Sequence, residues 1–141
     1  MDIEQLINQY HEAVDQFSRG NSQPIKMLYS HRDDVFLANP FGLTVIGWTQ
    51  VSNALDFASS KFRDGVVNNF EIIVKYVTSE LMTIFGIEKW KAKVGGRNEI
   101  SSFDLRVTTT FRKEDGEWKV IHRHADPIAS FNDDGPLRKD L

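Results

Sequence analysis

The chain has 141 residues, 40% of them apolar, and its 17 basic and 20 acidic side chains give a formal net charge of −3. That length and apolar share suit one globular domain with its own core and exclude a chain disordered throughout. The slight acidic excess speaks against nucleic acid as the main partner, and the lack of cysteine excludes disulfides, thiol catalysis and thiolate metal ligands.

No apolar run is long enough to span a bilayer, and the N-terminal MDIEQLINQY is acidic and amphipathic, unlike a signal peptide. The expectation is a cytoplasmic protein without a membrane partner. Ile3, Leu6, Ile7, Tyr10, Val14 and Phe17 recur at helical spacing, and Gly20 is placed to end that helix. Ser22 and Pro24 open a second, short helix through Tyr29. VFLANP (35–40) reads as a short strand stopped by the NPFG turn, and LTVIGW as a second extended piece. Thr49 is the expected N-cap of a third helix with Val51, Ala54, Leu55, Ala58 and Phe62 on its inner face, and Asp64-Gly65 closes this half.

The period then changes from helical to alternating. NNFEIIVKYVT, ELMTIFGIEKWKAK, ISSFDLRVTTTFRK and EWKVIHRHAD are four strands rich in β-branched and aromatic residues, joined by turns at KVGGRN and KEDG. Helices first and an antiparallel meander afterwards indicate an α+β fold with about three helices packed on one face of a curved sheet. The domain is expected over 1–130, and the charged stretch 131–141 as a tail.

The order of elements, the hairpin LRVTTTFRKEDGEWKVIHRHADP, the NPFG…GW turn ahead of the third helix and the FGIEKW strand (85–90) together resemble the nuclear-transport-factor-2-like superfamily. Within it, the chain is similar to the SnoaL-like and ketosteroid-isomerase-like branch, over about residues 3–127. The resemblance implies a cone with a pocket between helices and sheet, and homodimers formed through the sheet. Members include isomerases, cyclases, dehydratases, ligand-binding proteins and association modules, so fold alone does not select a chemistry. Ketosteroid isomerases use a base aspartate with a tyrosine and a protonated aspartate. Here Tyr10 lies in the first helix, but position 39 is Asn, and that set does not transfer intact.

His122, His124 and Asp126 occupy every second position of the last strand, so they share one face. Imidazole moves protons near neutral pH, and a carboxylate can fix its tautomer. Asp126 before Pro127 also suits a turn or cap. The three span about 13 Å at roughly 3.3 Å per residue, too far for one ion; a third ligand would have to come from elsewhere, such as Glu88, and no metal is expected. A three-residue turn closed by Gly116 would put Arg106 opposite His124 and Thr108 opposite His122, on a polar face with Trp118 and Arg112. A four-residue turn would set the histidines among Val107 and Leu105. Polar against polar favours the first.

Glu88 stands in the apolar run TIFGIEKW, where burial would raise its pKa and suit a general base. Equally, it could be an ion-pair partner of Arg106 or Arg123 holding the sheet. Tyr10, Phe17, Phe36, Trp48 and Trp90 are core or pocket wall, Gly86 makes room for a ligand or a bulge, and His11 and His31 read as exposed. The expected function is binding of a small apolar or aromatic molecule in a mostly apolar pocket. As an enzyme it would do cofactor-free acid–base chemistry on a carbonyl or polycyclic compound. Glu88 or His124 (with Asp126) would be the base, Arg106 or Arg123 would stabilise developing negative charge, and Tyr10 would donate a proton. The reading from another class is a non-catalytic sensor or dimeric association module.

Overall fold

The structure, a computed structural model, describes residues 1–128; the expected tail, 131–141, lies outside them. Helix α1 (Ile3–Phe17) opens on a capping box. The Asp2 carboxylate accepts the Gln5 N–H at 2.8 Å, and the Gln5 side chain accepts the Asp2 N–H at 3.0 Å. Its inner stripe buries Leu6, Ile7, Tyr10, Ala13 and Val14. Helix α2 (Gln23–Leu28) follows after Gly20, whose φ of +88° suits glycine. Ser22 does not cap α2; its hydroxyl instead donates to Asp56 at 2.7 Å.

Strands β1 (Phe36–Ala38) and β2 (Thr44–Ile46) form a hairpin around the NPFG turn. Helix α3 spans Trp48–Ser59 and begins two residues earlier than expected, with Gly47, not Thr49, at its N-cap. The long strands are β3 (Phe62–Val77), β4 (Leu81–Val94), β5 (Ser101–Glu114) and β6 (Glu117–Pro127). They join β1 and β2 in one curved, open sheet of order β2-β1-β6-β5-β4-β3. All pairs are antiparallel except β1 with β6, which run parallel. The α+β architecture with three helices against the concave face is as expected.

Two local expectations are overturned. Asp64-Gly65 does not close the first half but lies inside β3 at a break in its pairing with β4, and Phe62 belongs to that strand, not to α3. The reason is tertiary: Asp15 of α1 accepts the Val67 N–H at 2.8 Å and Arg19 donates to the Gly65 carbonyl at 3.1 Å, so α1 holds this segment extended. Gly65 is needed there because a Cβ would meet the Ser18 carbonyl at 2.4 Å.

The second concerns the β5–β6 turn. Only Asp115 and Gly116 form it, both at positive φ (52° and 83°), so Glu114 pairs with Glu117. Ile121 then bulges out of β6, since Phe111 pairs with Val120 and Thr110 with His122. Turn and bulge together shift the first expected register by two residues. The parity survives: Thr108 faces His124 and Arg106 faces Asp126. Trp118, ahead of the bulge, pairs with Lys113 and does not share the face of Arg112.

Candidate functional site

Alternation decides what β4, β5 and β6 show to the helices. The concave face carries Met82, Ile84, Glu88 and Trp90 from β4, Leu105, Val107 and Thr109 from β5, and Val120, Arg123 and Ala125 from β6, all buried. Beneath them lies a chamber of about 30 Å³ whose walls include Phe17, Leu37, Asn39, Phe41, Trp90 and Arg123. A second, open space of about 390 Å³ adjoins it, between Phe103, Arg97 and Pro127. Phe41 and Phe62 line both spaces, and their rings lie 5.6 Å apart. Pro40 and Leu105 line both as well, and the Phe41 side chain among them is 37% exposed and edge-on to Phe57 at 6.2 Å.

A buried polar cluster stands against the chamber. Arg123 donates through Nη1 to Glu88 Oε2 at 2.8 Å and through Nη2 to Oε1 at 2.9 Å. Trp90 Nε1 donates to Glu88 Oε1 at 3.0 Å, Arg123 Nη1 also reaches the Tyr10 hydroxyl at 2.6 Å, and that hydroxyl meets the Thr109 hydroxyl at 2.7 Å. Five side chains from α1, β4, β5 and β6 thus satisfy one another. Burial pushes the Glu88 carboxyl up, but the Arg123 charge, its hydrogen bonds and that of Trp90 prevail and hold it below the usual range. Burial would lower the Arg123 pKa, and Glu88 and Tyr10 raise it instead. The Tyr10 hydroxyl is pushed up by burial. The expected raised pKa for Glu88 is therefore corrected: in an apolar run the carboxylate meets a guanidinium, and the ion pair outweighs desolvation. Of the two arginines weighed as its partner, Arg123 makes the pair, whereas Arg106 is exposed on the opposite face.

The His122, His124 and Asp126 run lies on that opposite, convex face. His124 Nε2 is 2.6 Å from Asp126 Oδ2, with both side chains 52% exposed. His122 stacks on Phe36 of β1 at 4.6 Å, and burial, then the neighbouring His124, lowers its pKa. Phe36 is accordingly not a chamber wall. Trp48 is not one either; it stacks on His31 at 3.9 Å, and the His31 Nε2 is 2.9 Å from the Lys26 carbonyl oxygen. His11, expected to be exposed and unpartnered, stacks on Phe70 at 3.7 Å, and burial lowers its pKa to about 4. Gly86 marks a close approach of strands, since a Cβ there would meet the Glu71 carbonyl at 2.5 Å beside the β3 bulge. Among the described residues no three His, Asp or Glu side chains gather as a metal-binding group.

Of the residues singled out from the sequence, Phe17, Trp90 and Arg123 line the chamber, with Tyr10 and Glu88 bonded behind them. Asn39, Phe41 and Phe62 line it too and were not expected to. Their signal in the sequence was the NPFG turn, which reads as chain reversal and nothing more.

The family model for the SnoaL-like domain matches residues 3–130. The chain belongs to the SnoaL-like domain family. Among solved structures, this SnoaL-like chain is similar to a nuclear transport factor 2-like superfamily protein from Salmonella enterica, with 16% identity, TM-score 0.75, and 93% of this chain and 92% of that one covered. A ketosteroid isomerase-like protein from Erwinia carotovora is similar at 14% identity, TM-score 0.74 and coverage of 91% and 95%. A protein from Xanthomonas campestris named for the calcium/calmodulin-dependent protein kinase II association domain is similar at 18% identity, TM-score 0.68 and coverage of 92% and 87%. At these identities the likeness establishes the fold alone. No curated protein matches. No helix among the described residues is long and apolar enough to cross a membrane.

Proposed function

We infer that this SnoaL-like protein binds a small, mostly apolar molecule between its helices and the concave face of its sheet. The observation that carries the reading is the adjacency of an apolar chamber and an open groove that share Pro40, Phe41, Phe62 and Leu105 in their walls; displacement of the partly exposed Phe41 ring would join them into a ligand-sized space. Phe17, Trp90, Phe62 and Arg123 would then contact the ligand.

The same geometry favours binding over acid–base catalysis. Among the described residues the chamber wall holds no carboxylate or imidazole. Glu88 could act as a base only by leaving Arg123, and both are needed as a pair to remain buried. Arg123 and Tyr10 do converge on Glu88, but Arg106, His124 and Asp126 stand on the far side of the sheet. The test is titration with the neutral fluorophore N-phenyl-1-naphthylamine. Saturable binding with quenching of Trp90 emission is expected, and loss of that binding in a folded Ala58→Leu variant, which fills the chamber wall. Absence of saturable binding, or binding indifferent to the variant, would overturn the reading.

A second reading has its own observation. The convex face exposes Ile46 and Tyr76, each 66% exposed, around His122 and His124. Apolar side chains there suit a second copy of this chain, and similar structures are named as association domains. This homodimer is compatible with a ligand on the concave side.

A further inference from the structure

Asn39 opens the Asn39-Pro40-Phe41-Gly42 turn, and its Oδ1 accepts two backbone N–H groups, from Phe41 at 3.0 Å and Leu43 at 3.3 Å. Two donors on one oxygen settle the orientation of the amide, because a flip would set Nδ2 against those same N–H groups. Nδ2 is thereby committed as a donor away from the turn. It is buried and has no hydrogen-bond partner among the described residues.

Asn39 lines the chamber, together with thirteen other residues of which only Arg123 is ionisable. The Arg123 charge is already answered by Glu88, and the indole N–H of Trp90 is given to the same carboxylate. Asn39 Nδ2 is therefore an uncommitted donor held just behind an apolar wall whose net charge is zero, covered in this arrangement of the turn. An anion entering the chamber would lose its hydration and gain no free cation. A neutral oxygen would gain a hydrogen bond that nothing else in the wall competes for.

We propose that Asn39 Nδ2 anchors the ligand, and that the ligand is an uncharged molecule with an apolar body and an oxygen acceptor of the carbonyl kind. This rests on the pocket reading above and adds to it the polar contact that orients the guest. The turn that carries Asn39 also carries Phe41, so a displacement that moves the Phe41 ring aside would uncover the anchor as part of the same short loop.

The experiment compares acetophenone with α-methylstyrene, which has the same shape with a methylene group in place of the oxygen. Both are titrated into ¹⁵N-labelled protein, with the Asn39 side-chain amide signal followed by NMR. Acetophenone is expected to shift one Asn39 amide proton downfield, and α-methylstyrene to bind without that shift. The ratio of the two affinities is then measured in Asn39→Asp at pH 8, which keeps the oxygen that caps the turn and replaces the donor by an acceptor. That ratio should fall roughly tenfold, the worth of one buried hydrogen bond. Asn39→Leu, which offers neither donor nor charge, should lower it by a similar factor and serves if the aspartate takes up a proton. An unchanged ratio in both variants, with both probes still binding, overturns the anchor and leaves the pocket standing. If neither probe binds to the unmodified protein, the pocket reading fails and the anchor with it.

Discussion

Arg123 and Glu88 meet side-on, two guanidinium nitrogens on two carboxylate oxygens at 2.8 and 2.9 Å, and neither side chain reaches one-tenth exposure as a residue. They come from β6 and β4, with β5 between them, so the pair braces three strands across the concave face. Planar bidentate geometry is what lets such a pair persist without water.

Removing one partner should cost more than removing both. Glu88→Gln leaves the Arg123 charge buried and unanswered, and a loss of roughly 3–5 kcal/mol in unfolding free energy is expected from urea denaturation. Glu88→Gln combined with Arg123→Met removes both charges and keeps an oxygen for Trp90 Nε1, so much of that loss should return. A double variant as unstable as the single one would show that the charges do not act as a pair.

Acid should weaken the fold in two separate windows. His11 titrates near 6.5 when unfolded but only at about 4 in the fold, where burial against Phe70 disfavours the cation. Between those values the unfolded chain binds the extra proton, so stability rises with pH across that window. Glu88, with its pKa held low in the fold, adds stability above its unfolded value that is lost only as pH falls further, through its folded value. His11→Phe keeps a ring on Phe70 and should flatten the pH 4–6.5 limb, worth roughly 1–2 kcal/mol once the ring's partial exposure is discounted. Denaturation midpoints at pH 7, 5.5 and 4 measure it; an unchanged slope in the variant would assign the limb to other groups.

Phe41→Ala removes a ring that lines both chamber and groove and should widen the passage between them. Because the ring is only partly covered, the stability cost should stay near 1–2 kcal/mol, below that of a fully buried phenylalanine. Stopped-flow mixing with N-phenyl-1-naphthylamine should show faster association than in the unmodified protein. An equal or slower rate would mean that ligands enter by another path.

On the convex face, Thr108→Arg places a charge opposite His124, and Tyr76→Asp places one on the edge strand β3 of the same face. Sedimentation equilibrium should find a dimer for the unmodified protein and a monomer for the double variant, with probe binding retained. A monomer in both cases rules out this surface as a homodimer interface.

The strand sequence of the second half was legible because alternation of apolar and polar residues survives any register. So was the sharing of one face by His122, His124 and Asp126, which follows from spacing alone. Which face that was could not be read, since it depends on Ile121 leaving the ladder, and nothing in WKVIHRHADP distinguishes a bulged residue from a paired one. The start of β3 was missed for a different reason: Asp64-Gly65 has turn chemistry, and only Asp15 and Arg19, some fifty residues earlier, hold it straight. Asn39 and Phe41 were recognised as turn residues, but the chamber they line is assembled from all three helices and from β3, β4, β5 and β6, distant parts of the chain. The ionic partner of Glu88 could be narrowed to two arginines and no further.

The bulge at Ile121 has a consequence for how this scaffold can vary. Val120 and Arg123, three positions apart, both point inward, whereas an unbroken strand would turn Arg123 outward and bring His122 and His124 beneath the helices. Drawing Ile121 into the ladder would exchange the two sides of the strand beyond it at once, trading a guanidinium for two imidazoles inside the cone, whereas deleting Ile121 would leave Arg123 facing inward. One unpaired residue acts as a reading frame for the site, and a chain of this fold could change the chemistry of its interior without substituting any side chain that lines it.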